Sequence, residues 1–237
     1  MHAGVEFRTE NYYEVKTKVT YDYINISNST ETKFLGLIID ETRSWNQHVD
    51  HIATKLCSAC YALRNLKHIV PQSTLWTIYY TYIHSILSYG IIFWERSSNV
   101  STLFILQKRI IRIITNNGVR ESCREAFKNM QIMMYSQYIF SLILFAVTNK
   151  HLFTSLNEIH IYKTRNYLNF HLPTVNLTKF YKVPYISGTK AFNHLPRHIK
   201  ILDSDMKCFK LSLKRFLCHH SFYSVEEYYE HTAEKDM

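Results

Sequence analysis

Trp45, Val49, Ile52, Leu56, Ala59, Leu63 and Leu66 recur at alternating steps of four and three. That spacing is the apolar seam of an amphipathic helix of about six turns. Ser44 offers an N-cap before it and Pro71 stops it. A helix of this length near the start of a chain needs apolar partners, and the sequence supplies them. Leu75, Ile78, Tyr79, Tyr82, Ile83, Ile86 and Leu87 cover a wide face of a second helix, expected to be largely buried and closed or kinked at Gly90. A third runs from about Asn99 to Asn116, with Asn117-Gly118 as its left-handed stop. Ser122-Cys123-Arg124-Glu125 is a capping box for a short fourth helix, and Ser136 caps a fifth that reaches Lys150.

The flanks are less regular. "KVTYDYINIS" alternates as a strand, and "KFLGLIID" (Lys33 to Asp40) reads as its hairpin partner across Asn28-Ser29-Thr30. Residues 151–204 carry Pro173, Pro184 and Pro196 and read as loops with short elements. Met206, Phe209, Leu213, Phe216 and Leu217 mark a last helix, and "EEYYEHTAEKDM" reads as a polar tail. With 5 Gly and 4 Pro in 237 residues, a β-sandwich is excluded; 46% hydrophobic and 15% aromatic content excludes general disorder. The expected fold is mainly α with a small N-terminal β-hairpin, a helical bundle, then a loop-rich region ending in a helix. The expected segments are 1–43, 44–150, 151–222 and 223–237.

Against 19 Asp+Glu stand 28 Lys+Arg, a formal net charge of +9. An excess of this size favours polyanion partners, RNA or DNA before acidic membrane surfaces. The N-terminus has no apolar signal-peptide core, and the most apolar stretch, Tyr138 to Val147, is about half a membrane span. Five cysteines, an odd number, suit a reducing compartment. A non-secreted protein of the nucleus or cytoplasm, with no membrane partner, is expected.

The third helix sets Lys108, Arg109 and Arg112 opposite its apolar face, within about 100° of one another. Three cations without an acid make a phosphate-contact surface, although an ordinary solvated face gives the same pattern. A second basic region mixes cations with aromatics: Lys163 and Arg165 within "YKTRNY", then Lys207, Lys210, Lys214 and Arg215. Cations fix phosphates while tyrosines stack on unpaired bases; tyrosines filling a loop-rich core is the competing reading. The pair Cys57 and Cys60 points well away from His48 and His51 on the same helix, so no metal site is expected. Hydrolase, phosphate-loop and dinucleotide motifs are absent, and Asp203 and Asp205 have no acidic companion nearby. No catalytic residue and no small-molecule substrate are therefore expected.

The order of blocks "TKFLGLIIDETRSWNQHVDHIATKL", "YYTYIHSILSYGIIFW", "ILQKRIIRII", "SCREAFKNMQIM", "HIYKTRNYLN", "GTKAFNHLPRHIK" and "FYSVEEYYE" resembles the C-terminal part of jockey-like non-LTR retrotransposon reverse transcriptases. The resemblance spans roughly Lys33 to Tyr229. It implies that Phe34, Leu35 and Gly36 are a primer-grip hairpin and that the helices from Trp45 form a thumb-like bundle on a template–primer duplex. The same resemblance implies that Asn193, Leu195 and Pro196 belong to a C-terminal region binding RNA or target DNA. A glycine in the hairpin also lets another backbone come close. The family's catalytic motif, an aromatic followed by Ala-Asp-Asp, lies upstream of this hairpin and does not occur in the sequence. The Mg²⁺ of the intact RNA-directed DNA polymerase is thus not expected here, and the implied function is nucleic-acid binding without polymerase activity. The alternatives are a non-functional pseudogene product or a fragment of an active polymerase with its palm upstream.

Overall fold

Asp40, the last residue of a tight hairpin, sets how the chain starts its longest helix. The computed structural model describes residues 19–21, 24–26, 29–118, 120–133, 135–159, 166–174 and 183–231. Strand β1 (Val19–Tyr21) pairs antiparallel with β2 (Ile24–Ile26), and β3 (Glu31–Phe34) with β4 (Leu37–Asp40). The expected single hairpin is therefore two. "KFLGLIID" is not one strand but most of a hairpin, turning at Leu35-Gly36 with Phe34 opposite Leu37. Both turn residues have positive φ, +47° and +81°, the geometry whose twist matches paired strands.

Helix α1 spans Asn46–Leu66. Its start is organised by Asp40 rather than by Ser44. Asp40 Oδ2 accepts from the Ser44 N–H and hydroxyl, each at 2.9 Å, and Oδ1 accepts from the Trp45 N–H at 2.9 Å. A carboxylate suits a helix N-terminus, where N–H groups lack intrahelical partners. Partial burial opposes ionisation of Asp40. The donated hydrogen bonds, with that of the Thr42 hydroxyl, outweigh it and hold the carboxyl well below the usual carboxylate range.

The second helical stretch comprises α2 (Gln72–Ile78), a π-helical turn (Tyr79–His84) and α3 (Ser85–Ser88). Leu75, Tyr79, Ile83 and Leu87 are its buried residues, spaced by four. In an α-helix, steps of four drift by about 40° each; the wider π turn removes that drift, so all four reach the core. The sequence reading of a largely buried helix needs correction, because Tyr80, Tyr82 and Tyr89 are exposed. Gly90, at φ +62°, breaks the stretch and leads into α4 (Ile91–Trp94), whose Trp94 is fully buried.

Helix α5 (Val100–Thr115) packs along α1 and ends at Asn116 in the left-handed conformation, one residue before the expected stop. After it come α6 (Arg124–Asn129) and α7 (Tyr135–Thr148), with Ser136 buried inside α7 rather than capping it. A 3₁₀ turn (Lys150–Leu152) precedes α8 (Leu156–Ile159). Helix α9 (Pro184–His194) starts with proline at its first position and lies against α7. Helix α10 (Arg197–Lys200) is followed by a 3₁₀ turn (Ile201–Ser204), α11 (Met206–His220) and α12 (Val225–Glu230).

The expected polar tail is corrected by α12. Ser224 Oγ accepts from the Glu227 N–H at 3.0 Å, Glu227 Oε2 accepts from the Tyr223 N–H at 2.6 Å, and Tyr228 is buried with its hydroxyl donating to the Ala191 carbonyl. Buried apolar side chains from Leu37 to Tyr228 form one cluster among the described residues. Each fully buried Leu or Ile contributes about 1.5–3 kcal/mol. The chain is mainly helical, with the small β-element at its N-terminal side. None of its described helices is long and apolar enough to cross a membrane.

Candidate nucleic-acid interface

The β3–β4 turn projects its apolar residues outward: Phe34 is 61% and Leu35 72% exposed. It is held in place from below, where the Tyr89 hydroxyl donates to the Leu35 carbonyl. Gly36 is required for its positive φ and not for close approach, since a β-carbon there would meet only Tyr89 Cε1 at 3.7 Å. The close approach that the sequence reading assigned to Gly36 belongs instead to Gly90, against Leu37.

Under the turn lies an open groove of about 340 Å³. Helix α1 forms one wall with His48, His51, Ile52 and Lys55; Ser85, Ile86 and Tyr89 form the other. Lys55 and His51 are four residues apart and share a helix face. Burial lowers the His51 pKa, and the nearby ammonium groups of Lys55 and Lys33 lower it further. The groove is thus lined by Lys55, with Lys33 close enough to act on His51, and no carboxylate is among its lining residues.

His48 is buried in the groove wall. Its Nδ1 accepts from the Ile38 N–H at 3.4 Å, which leaves Nε2 carrying the proton, and Nε2 has no partner. Burial, then His51 and Lys55, lower the His48 pKa, so the ring is neutral at pH 7. A buried N–H without an acceptor costs free energy until something accepts from it.

The cations of α5 are dispersed. Lys108 is half-buried with its Nζ 4.1 Å from the centroid of the Phe104 ring. Arg112 is half-buried too, its Nε and Nη2 donating to the Glu121 carbonyl at 3.3 and 3.0 Å. Only Arg109 of the three is exposed; it approaches Cys60 together with Arg64, opposing the rise that burial imposes on the thiol pKa. The face read from the sequence as an exposed phosphate-contact surface is partly covered, because the segment around Glu121–Cys123 folds back on it. Cys123 Sγ lies 3.8 Å from the Lys108 carbonyl.

On α11, Lys207 and Arg215 are exposed and Lys214 is half-buried. Lys207 and Lys214 share one flank, about 20° apart on the helix. Burial lowers the His84 pKa, and the ammonium of Lys214 nearby adds to that lowering. Arg215 is about 100° away on the other flank, toward α10. Lys163 and Arg165 lie outside the described residues.

The block containing Asn193, Leu195 and Pro196 has structural work in the fold. Asn193 Oδ1 accepts from the Phe170 N–H and Nδ2 donates to the Phe170 carbonyl, both at 2.8 Å. Leu195 is buried. Lys200 Nζ donates to Asn169 Oδ1 at 2.8 Å and to the Asn193 carbonyl at 2.7 Å, and burial pulls its pKa down to about 8. Among the described residues, no group of three or more His, Cys, Asp or Glu is arranged to hold a metal ion.

Lys33, His48, His51, Lys55 and Tyr89 were not selected from the sequence as nucleic-acid contacts. The i, i+4 pair of His51 and Lys55 beside the seam was the available signal. Its significance depends on the hairpin folding over that face. No protein-family model, curated protein or solved structure matches this chain.

Proposed function

We propose that the chain is a nucleic-acid-binding module related to the primer-grip and thumb region of jockey-like reverse transcriptases, without polymerase activity of its own. One observation carries this reading: the exposed Phe34 and Leu35 at the hairpin tip overhang a groove lined by Lys55, with Lys33 near its His51 and no acid in its lining. Apolar side chains at the tip stack on bases or sugars, and the lysines neutralise phosphates. The net charge of +9 supplies the long-range attraction. Arg64 on α1, Arg109 on α5 and Lys207 on α11 are further exposed cations.

Binding of this kind weakens steeply with salt and discriminates little among sequences. The test is fluorescence anisotropy with a labelled primer–template at two ionic strengths. A fall in affinity of at least about tenfold between 50 and 200 mM salt is expected. Affinity that stays level across that range ends the proposal. Primer extension with Mg²⁺ on this chain alone is expected to give no incorporation; nucleotide addition would replace the binding-module reading with an enzymatic one.

A further inference from the structure

A second groove, of about 410 Å³, lies between α10 and α11. Its lining is His198, Ile199, Ser212, Arg215, Phe216, His219 and His220. Arg215, His198 and His219 are exposed, and no carboxylate is among the lining residues. The groove therefore presents a guanidinium fork, imidazole N–H groups and a hydroxyl over an apolar floor.

The floor and walls are firm. Ile199 is buried, and α10 is tied down by Lys200 through Asn169 and Asn193. The Phe216 ring is packed edge-on against His220, with ring centroids 4.8 Å apart, and the His220 ring stacks on Phe222. Donors held on a firm frame keep the entropy cost of ligand capture low.

The chemistry selects the ligand. A metal ion is disfavoured by the guanidinium in the lining, and no metal-holding group occurs among the described residues. An anion offers acceptors that suit guanidinium, imidazole and hydroxyl donors alike. Ser212, Arg215 and His219, at i, i+3 and i+7, share one face of α11 across from His198. Several donors lining one groove match the three or four oxygens of a phosphoryl group better than the two of a carboxylate, and a guanidinium bonds such oxygens in pairs. We propose that this groove binds a phosphoryl group, held by Arg215, His198 and His219 with Ser212 as a further donor. This inference does not depend on the hairpin groove binding nucleic acid. The phosphoryl belongs either to a free phosphate or nucleotide or to the end of a nucleic-acid strand.

The experiment is histidine-ring NMR on the full chain, titrated with inorganic phosphate, adenosine monophosphate, and one oligonucleotide carrying either a 5′-phosphate or a 5′-hydroxyl. Saturable shifts of the His198 and His219 ring protons with phosphate or the monophosphate are expected, weakened at least about tenfold in Arg215→Ala. Arg215→Lys retains the charge without the fork and is expected to fall between. Tighter binding of the 5′-phosphorylated strand assigns the site to a strand end; equal binding of the two strands, with saturable monophosphate binding, assigns it to a free phosphate. Shifts that do not saturate, or that persist unchanged in Arg215→Ala, overturn the proposal. Arg215 is exposed, so thermal melting of the variant distinguishes lost binding from lost folding.

Discussion

Gly90 lies against Leu37 so closely that a β-carbon on it would come within 2.8 Å of the Leu37 Cδ2 atom. This contact seats the inner strand of the hairpin on the end of the second helical stretch. It also separates two glycines that look alike in the sequence.

Gly90→Ala is expected to cost about 2 kcal/mol, from the left-handed backbone and the displacement of Leu37. Gly36→Ala carries only the backbone cost of about 1 kcal/mol, since its β-carbon meets Tyr89 at an ordinary contact distance. Urea midpoints of the two variants check the order.

Asp40→Ala is expected to destabilise by about 1–2 kcal/mol through loss of the bonds that start α1. The carboxyl pKa is depressed in the fold, so its contribution is complete above the unfolded value of about 3.9 and is lost as pH falls below it. Urea unfolding of wild type and variant should show a gap at pH 6 that narrows steadily below pH 4.

Glu95 behaves in the opposite sense. Burial, only partly offset by Arg96, raises its pKa to about 7, so the folded chain holds a proton there that the unfolded chain releases near pH 4.5. Stability therefore falls as pH rises from about 4.5 to 7 and levels above that. Glu95→Gln is expected to stabilise by up to about 3 kcal/mol at pH 8 and to be near neutral at pH 4, measured by thermal melting at the two pH values.

Asn193→Ala removes both bonds to the Phe170 backbone and leaves its N–H and carbonyl without their partner, a loss of about 2 kcal/mol. Its nucleic-acid affinity at a temperature where it is folded should match wild type. A specific loss of binding would make Asn193 a contact residue instead.

On the binding side, Lys33→Glu combined with Lys55→Glu is expected to weaken primer–template binding at least tenfold and to flatten the salt dependence by about two in log–log slope. Lys108→Ala, whose ammonium already sits on Phe104, should stay within about twofold. Anisotropy titrations at three salt concentrations measure both.

The helices could be read from the sequence because their apolar spacing is a local property. The seam from Trp45 to Leu66 is an example, with Val49, Ile52, Leu56 and Leu63 buried as expected. The Leu35-Gly36 turn was missed because leucine seldom takes positive φ, and here tertiary contacts hold it there. Helix α12 had a readable signal, Ser224 followed three residues later by Glu227, hidden by the acidic character of its neighbours. The covering of Lys108 and Arg112 could not be seen on a helical wheel, which marks a face as apolar or charged but not what folds back over it. The groove itself depends on residues about 50 positions apart, Leu35 and Tyr89, whose meeting is set by packing.

The wide turn at Tyr79–His84 also fixes where Tyr89 points. Rewinding the same six residues as an ordinary α-helix would rotate everything downstream by about 100° and swing the phenol away from the hairpin. That single-residue offset acts as a keyway: the extra residue must stay wound into the wide turn, and if it does not, the tip of the hairpin is the first part to lose its seat.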